Sequence, residues 1–200
     1  SATGITVQTD QDTVASAGAA SGAITSKPVA VAFIIAAGDR IAAKAGVPVT
    51  LTFTTQTGLA VGGKITLNYP AGFFASTPNP ANNAAGSASV GSMTATSAIT
   101  GNSIVITTAV AGIAATTAFT ITLSGLTMGA AAVAGSATGI TVQTDSDTTA
   151  SAGAASGAIT SQTFGVAFTI AAGDRIAAKA GVPVTLTFTT QTALAIGGKI

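Results

Sequence analysis

Cysteine, histidine, tryptophan and glutamate are absent from all 200 residues. Without cysteine there is no disulfide framework, so a packed core has to hold the fold. Without histidine, cysteine or glutamate, a Ser/His/Asp or Cys/His nucleophile set is excluded. Paired carboxylates would have to come from six aspartates, three of which are copies of the other three, so an enzyme is not expected. Charge is scarce as well: charged residues are 6% of the chain and the net charge is +1, against about a quarter charged in an ordinary soluble domain. A basic nucleic-acid footprint and an acidic tail are both excluded.

Long apolar runs are missing too. The longest, Val29–Ala37, is about half of what a bilayer crossing needs, so no membrane span is expected in this segment. The opening residues, SATGITVQTDQD, lack the basic start and apolar stretch of a secretory signal. The chain reads as a window onto something longer.

What is present is repetition. Residues 1–65 align with 136–200 without a gap, and all but nine of the aligned pairs are identical. The offset, which carries Ser1 onto Ser136, sets a period of about 135 residues, too long for the common solenoid repeats, so each period is expected to be a whole domain. Four of the nine differences are adjacent, KPVA at Lys27–Ala30 against QTFG at Gln162–Gly165. Placing a junction there divides the chain into the C-terminal strands of a preceding repeat (1–26), one complete repeat (27–161) and the N-terminal strands of the next (162–200).

Apolar residues alternate with threonine at period two, the pattern of half-buried strands. Val49, Leu51 and Phe53 face one way while Thr50, Thr52 and Thr54 face the other. The same alternation buries Ile65, Leu67 and Tyr69; Ile104 and Ile106; Phe119, Ile121 and Leu123; Ile140 and Val142; and Val29, Val31, Phe33 and Ile35. Gly101–Asn102 is a two-residue hairpin signal. Asp39–Gly46 offers at most a helical turn, stopped by Gly46 and Pro48. Seven or eight strands per unit, each with one apolar face, predict an all-β fold of tandem immunoglobulin-like β-sandwich domains; a closed barrel is the alternative.

The segment VTLTFTT followed by GGKITLNYPAGF resembles the tandem immunoglobulin-like repeats of very long secreted surface proteins, such as bacterial adhesins and threonine-rich surface proteins of algae and protists. That resemblance implies an extracellular, structural role in a filament, stalk or surface coat, with neighbouring repeats and like chains as partners. It transfers no catalytic residue. The short step from one unit to the next, with no Gly/Ser-rich linker, predicts a stiff rod; exchange of the GITVQTD strand between units is the alternative way to a filament.

Three constellations are candidate sites. Asp10 with Asp12, and Asp145 with Asp147, place two carboxylates at a strand end, either as a turn, which the residue type favours, or as part of an oxygen cage for calcium. The outward threonines Thr50, Thr52, Thr54, Thr120 and Thr122 suit cross-strand pairing, O-linked sugar on a charge-poor surface, or an ice-binding face. The loop Ala75–Ser87, rich in Pro and Asn, suits an adhesin contact to glycans. Two lesser ideas are an Asp39–Arg40 pair, repeated at Asp174–Arg175, and an intramolecular amide between Lys64 and Asn68. There is no Asn-X-Ser/Thr sequon for N-linked sugar.

Overall fold

The computed structural model describes residues 3–75, 81–86, 95–108 and 112–200. These residues form a nearly all-β protein in which every strand pairing is antiparallel. Strands β1 (Thr3–Ile5) and β2 (Ala19–Ala20) make a short ribbon. The next eight are β3 (Val29–Ile34), β4 (Val47–Thr54), β5 (Lys64–Asn68), β6 (Ala81–Gly86), β7 (Ala95–Thr100), β8 (Ser103–Thr108), β9 (Ala118–Leu126) and β10 (Thr141–Thr144). They build two four-stranded sheets, ordered β3-β4-β9-β6 and β10-β5-β8-β7. A second ribbon pairs β11 (Thr163–Thr169) with β12 (Thr185–Thr190). Helix among the described residues is limited to single 3-10 turns, Ala37–Asp39 and Ala172–Asp174, the first lying just ahead of the turn expected from the sequence.

Period-two alternation decides which side chains meet. On β4 the residues Val47, Val49, Leu51 and Phe53 are all fully buried, and on β9 Phe119, Ile121, Leu123 and Leu126 lie opposite or beside them. From the other sheet Ile65, Leu67, Ile104, Ile106 and Val142 enter the same hydrophobic cluster. One core therefore serves both sheets. Each such side chain contributes about 1.5–3 kcal/mol on leaving water. At one end an aromatic group closes it: Tyr69 and Phe73 flank Phe74 edge-on, with centroids 5.0 and 4.9 Å away. The sequence-predicted hairpin is present, β7 and β8 meeting through Gly101–Asn102, where a φ of 60° at Gly101 meets the turn's need for positive φ.

Strand β3 departs from the expected alternation. Ile35 is buried and Val31 and Phe33 pack against the core, but Val29 is exposed. The register of β3 on β4 shifts between Val29 and Ala32, and Ala30 has a φ of 52°. A residue in the left-handed region inserts an extra step, as a bulge does, and turns Val29 outward. The copy carries Gly165 at this place, with a φ of 64°.

Polar groups inside are satisfied by hydroxyls. Thr108 Oγ1, buried, donates towards the carbonyls of Ala60 (2.9 Å) and Gly63 (3.2 Å), and Thr55 Oγ1 donates to Ala114 O (3.0 Å). Loop backbone that turns away from the ladders is thus paired without charge.

Two substitutions test this packing. Ala30→Gly, which relieves a left-handed alanine, is expected to stabilise the chain by about 1 kcal/mol in denaturant melts. Gly129→Ala places a methyl group onto the carbonyl oxygen of Gly72 and is expected to cost about 2 kcal/mol or more, since backbone on both sides must shift.

Candidate functional site

The repeated aspartates form the most closely organised polar feature. In the complete unit β10 ends in a tight loop: Asp147 N–H donates to Thr144 Oγ1 (2.8 Å) and Thr144 N–H donates to Asp147 O (3.0 Å). This orients the Asp147 carboxylate, fully buried, at the connection between β4 and β5, where it accepts the N–H groups of Gln56 (2.8 Å) and Thr57 (3.0 Å). Asp145, exposed, accepts the N–H of Lys64 (2.9 Å) at the far end of the same connection. The two carboxylates therefore grip the two ends of the loop that joins the sheets. Peptide dipoles supply the positive partner, and such charge-assisted bonds are the stronger kind.

Asp145 and Asp147 are divided between different partners, and among the described residues no three His, Cys, Asp or Glu side chains gather. Ser26 adds a further tie: its Oγ donates to Ser146 O (3.3 Å) and accepts from Thr57 Oγ1 (3.1 Å), while its carbonyl accepts Thr149 N–H (3.3 Å). The residue entering the unit is thus bound to the loop that carries the clamp. Sequence reasoning missed Gln56, Thr57 and Ser26, since the first two act through backbone N–H. The usable signal was the Thr-x-x-Asp spacing of Thr144 and Asp147, which sets the loop.

Asp10 and Asp12 keep part of this loop in a different setting, and there the Asp12 carboxylate accepts the Thr9 hydroxyl (3.1 Å). Asp12 N–H donates to Thr9 Oγ1 (3.0 Å), and Val7 N–H meets Ser16 Oγ at 3.0 Å as Val142 N–H meets Ser151 Oγ. Yet both aspartates are exposed, as are Ile5 (55%) and Val7 (66%), whose equivalents Ile140 and Val142 are fully buried. In the same way Leu186 is 49% exposed where Leu51 is buried.

The threonine face lies on the outside of the β3-β4-β9-β6 sheet. Thr50 stands opposite Thr122 and Thr52 opposite Thr120, with Thr54 opposite Ala118. The Thr52 and Thr120 hydroxyls meet at 3.0 Å. All five are half-buried except Thr122, which is exposed. The other candidates are placed apart. Asp39 pairs with Lys44 (2.7 Å) rather than Arg40, and Asp174 likewise pairs with Lys179 (2.6 Å). Lys64 is exposed, and Asn68 Nδ2 donates to Thr141 Oγ1 (3.2 Å). Of the Ala75–Ser87 loop, residues 76–80 and 87 lie outside the described residues, while 81–86 form β6 against β9. Burial pushes the Tyr69 phenol up from its ordinary value, so this hydroxyl stays neutral.

Comparison with known proteins finds no matching family model, no matching curated protein and no matching solved structure.

The clamp makes an asymmetric prediction. Asp147→Ala removes a buried carboxylate that accepts two backbone N–H groups and is expected to cost about 3 kcal/mol, since hydrogen bonds to charged groups contribute about 1.5–3 kcal/mol each. Asp12→Ala, in the uncovered copy, leaves the melting temperature of the unit unchanged. Thermal or denaturant melts of the two variants side by side check both halves.

Proposed function

We propose that this chain is part of an extracellular structural array, in which β-sandwich units of the duplicated length follow one another as a stiff filament, stalk or surface coat. The observation that carries this reading is the duplication itself: all but nine positions of 1–65 recur at a fixed offset in 136–200, and residues of both duplicated flanks join the stretch between them in one core. A unit copied so closely serves by number. The architecture is immunoglobulin-like in the broad sense of two packed antiparallel sheets. Counted within the unit, the second strand pairs with the seventh and the third with the sixth.

In this reading the work is mechanical. Cores resist extension one unit at a time, the clamp of Asp145 and Asp147 holds each unit's last strand to its middle, and the junction is fixed by peptide amides and hydroxyls. The threonine face meets water, O-linked sugar or neighbouring chains. No catalytic role is assigned, and neighbouring units and like chains are the partners.

Electron microscopy of the native material tests the proposal: unbranched rods with an axial repeat of one unit are expected, with additional density along the threonine faces if sugar is attached. Compact particles without axial repeat overturn it, and glycan binding by the isolated chain moves the assignment to an adhesin.

A further inference from the structure

Residues 160–162 carry the chain out of the complete unit and into β11, and hydrogen bonds fasten this step on both sides. On the near side Thr160 is pinned to the front of its own unit: its N–H and Oγ1 donate to Arg40 O (3.0 and 3.2 Å), its carbonyl accepts Ala42 N–H (2.9 Å), and Ile41 bridges to it in parallel. On the far side Gln191, half-buried just after β12, accepts Gln162 N–H through Oε1 (3.2 Å) and donates through Nε2 to Ala42 O of the unit before. One side chain thus holds both sides of the step. Only Ser161 lies between the fastened residues.

The entry to the complete unit brings the same loop to the same place. Ser26 repeats Ser161, and Gln56 and Thr57 repeat Gln191 and Thr192. Here Thr57 Oγ1 donates to Ser26 Oγ (3.1 Å), while Ser146 O accepts the Ser26 hydroxyl and Ser26 O accepts Thr149 N–H, both at 3.3 Å. In both copies, then, the connection that follows the second strand of a unit touches the entering chain, through different atoms. The Gln56 N–H is held by Asp147 (2.8 Å), so this loop is fixed from within its own unit.

Glutamine suits this position chemically. Its amide offers a donor and an acceptor together without a charge, and the step presents one carbonyl and one N–H. Both are main-chain groups, so the change from Lys27 to Gln162 between the copies leaves the contact intact. Ala42 and Gln56 are themselves unchanged, as Ala177 and Gln191. Hydrogen bonds between neutral groups are individually weak, but here they oppose the freedom of a single unfastened residue rather than that of a long linker.

We propose that Gln191 is the latch between consecutive units: its amide clasps Ala42 of one unit and Gln162 of the next, and so sets the angle at which the second follows the first. The interaction surface is the front of one unit, Arg40–Ala42, and its partner is the connection after β12 in the neighbouring repeat of the same chain. Gln56, the same residue one repeat earlier, is assigned the same role toward the unit before it. The inference rests on the proposed function in taking consecutive units as the working element. Native material without rods overturns that reading and leaves the latch standing; rods built from loosely joined units keep that reading and overturn the latch.

Spin-label distance measurement on the full chain is the test. Native cysteine is absent, so Ala118→Cys in the unit and Ala180→Cys beyond the junction, both at exposed positions, place one label on each side. A single narrow distance distribution is expected. Gln191→Ala, and Gln191→Glu, which cannot donate to Ala42 O, are each expected to broaden it roughly two-fold, towards the relative motion that small interfaces between domains allow. Gln162→Ala keeps the N–H that the latch uses and is expected to leave the width unchanged. Gln191 lies outside the core cluster, so unchanged melting of the unit confirms folding in each variant. A broad distribution in the labelled chain before any change at Gln191 overturns the proposal. So does a Gln191→Ala chain that stays as narrow, or a Gln162→Ala chain that broadens as much as Gln191→Ala.

Discussion

The constraint on which everything else depends is that a chain with so few charges must satisfy its polar backbone by pairing strands and hide its apolar side chains between the resulting sheets. Each strand can do both at once only if its side chains alternate, and they do: β4, β5, β8 and β9 bury every second residue, mostly bulky apolar ones, and turn the others, with threonine the commonest, outward. Where the chain leaves the ladders, the buried hydroxyls of Thr55, Thr108 and Thr144 supply the pairing that longer charged side chains supply elsewhere.

The buried carboxylate of Asp147 is the exception that makes the unit cohere. β10 is a short edge strand, reached late in the chain, and ladder bonds to β5 alone would hold it weakly. Asp147 fastens its end to residues some ninety positions earlier, and Ser26 ties the entry of the unit to the same loop. The segment entering β3, the intersheet connection and the last strand meet at one point, and the strand most easily peeled from the edge is anchored there.

Much of this was legible in the residues. Every residue that alternation assigned to the inside of β4, β5, β8, β9 and β10 is buried, because a half-buried antiparallel sheet leaves a direct imprint, but Val47, Thr108, Leu126 and Thr144, buried in the same strands, were not among them. The hairpin at Gly101 was readable for a similar reason. Val29 was not, because the bulge that turns it outward is a backbone event at Ala30, an alanine that carries no sign of a positive φ; only its glycine counterpart in the copy hinted at one. β6 was hidden by asparagines that read as loop, its strand state being decided by pairing with β9. The role of Asp147 escaped for a different reason. Its partners are main-chain N–H groups distant in sequence, and a peptide group has no letter of its own.

The face formed by Thr50, Thr52, Thr120 and Thr122 has a consequence for the medium in which the protein serves. Its cohesion and hydration come from hydroxyls that neither titrate in the ordinary range nor attract a counterion cloud. Added salt screens fixed charges, and this face has almost none to screen. A surface so built keeps the same wetting in brine as in fresh water, and in mild acid as in mild alkali.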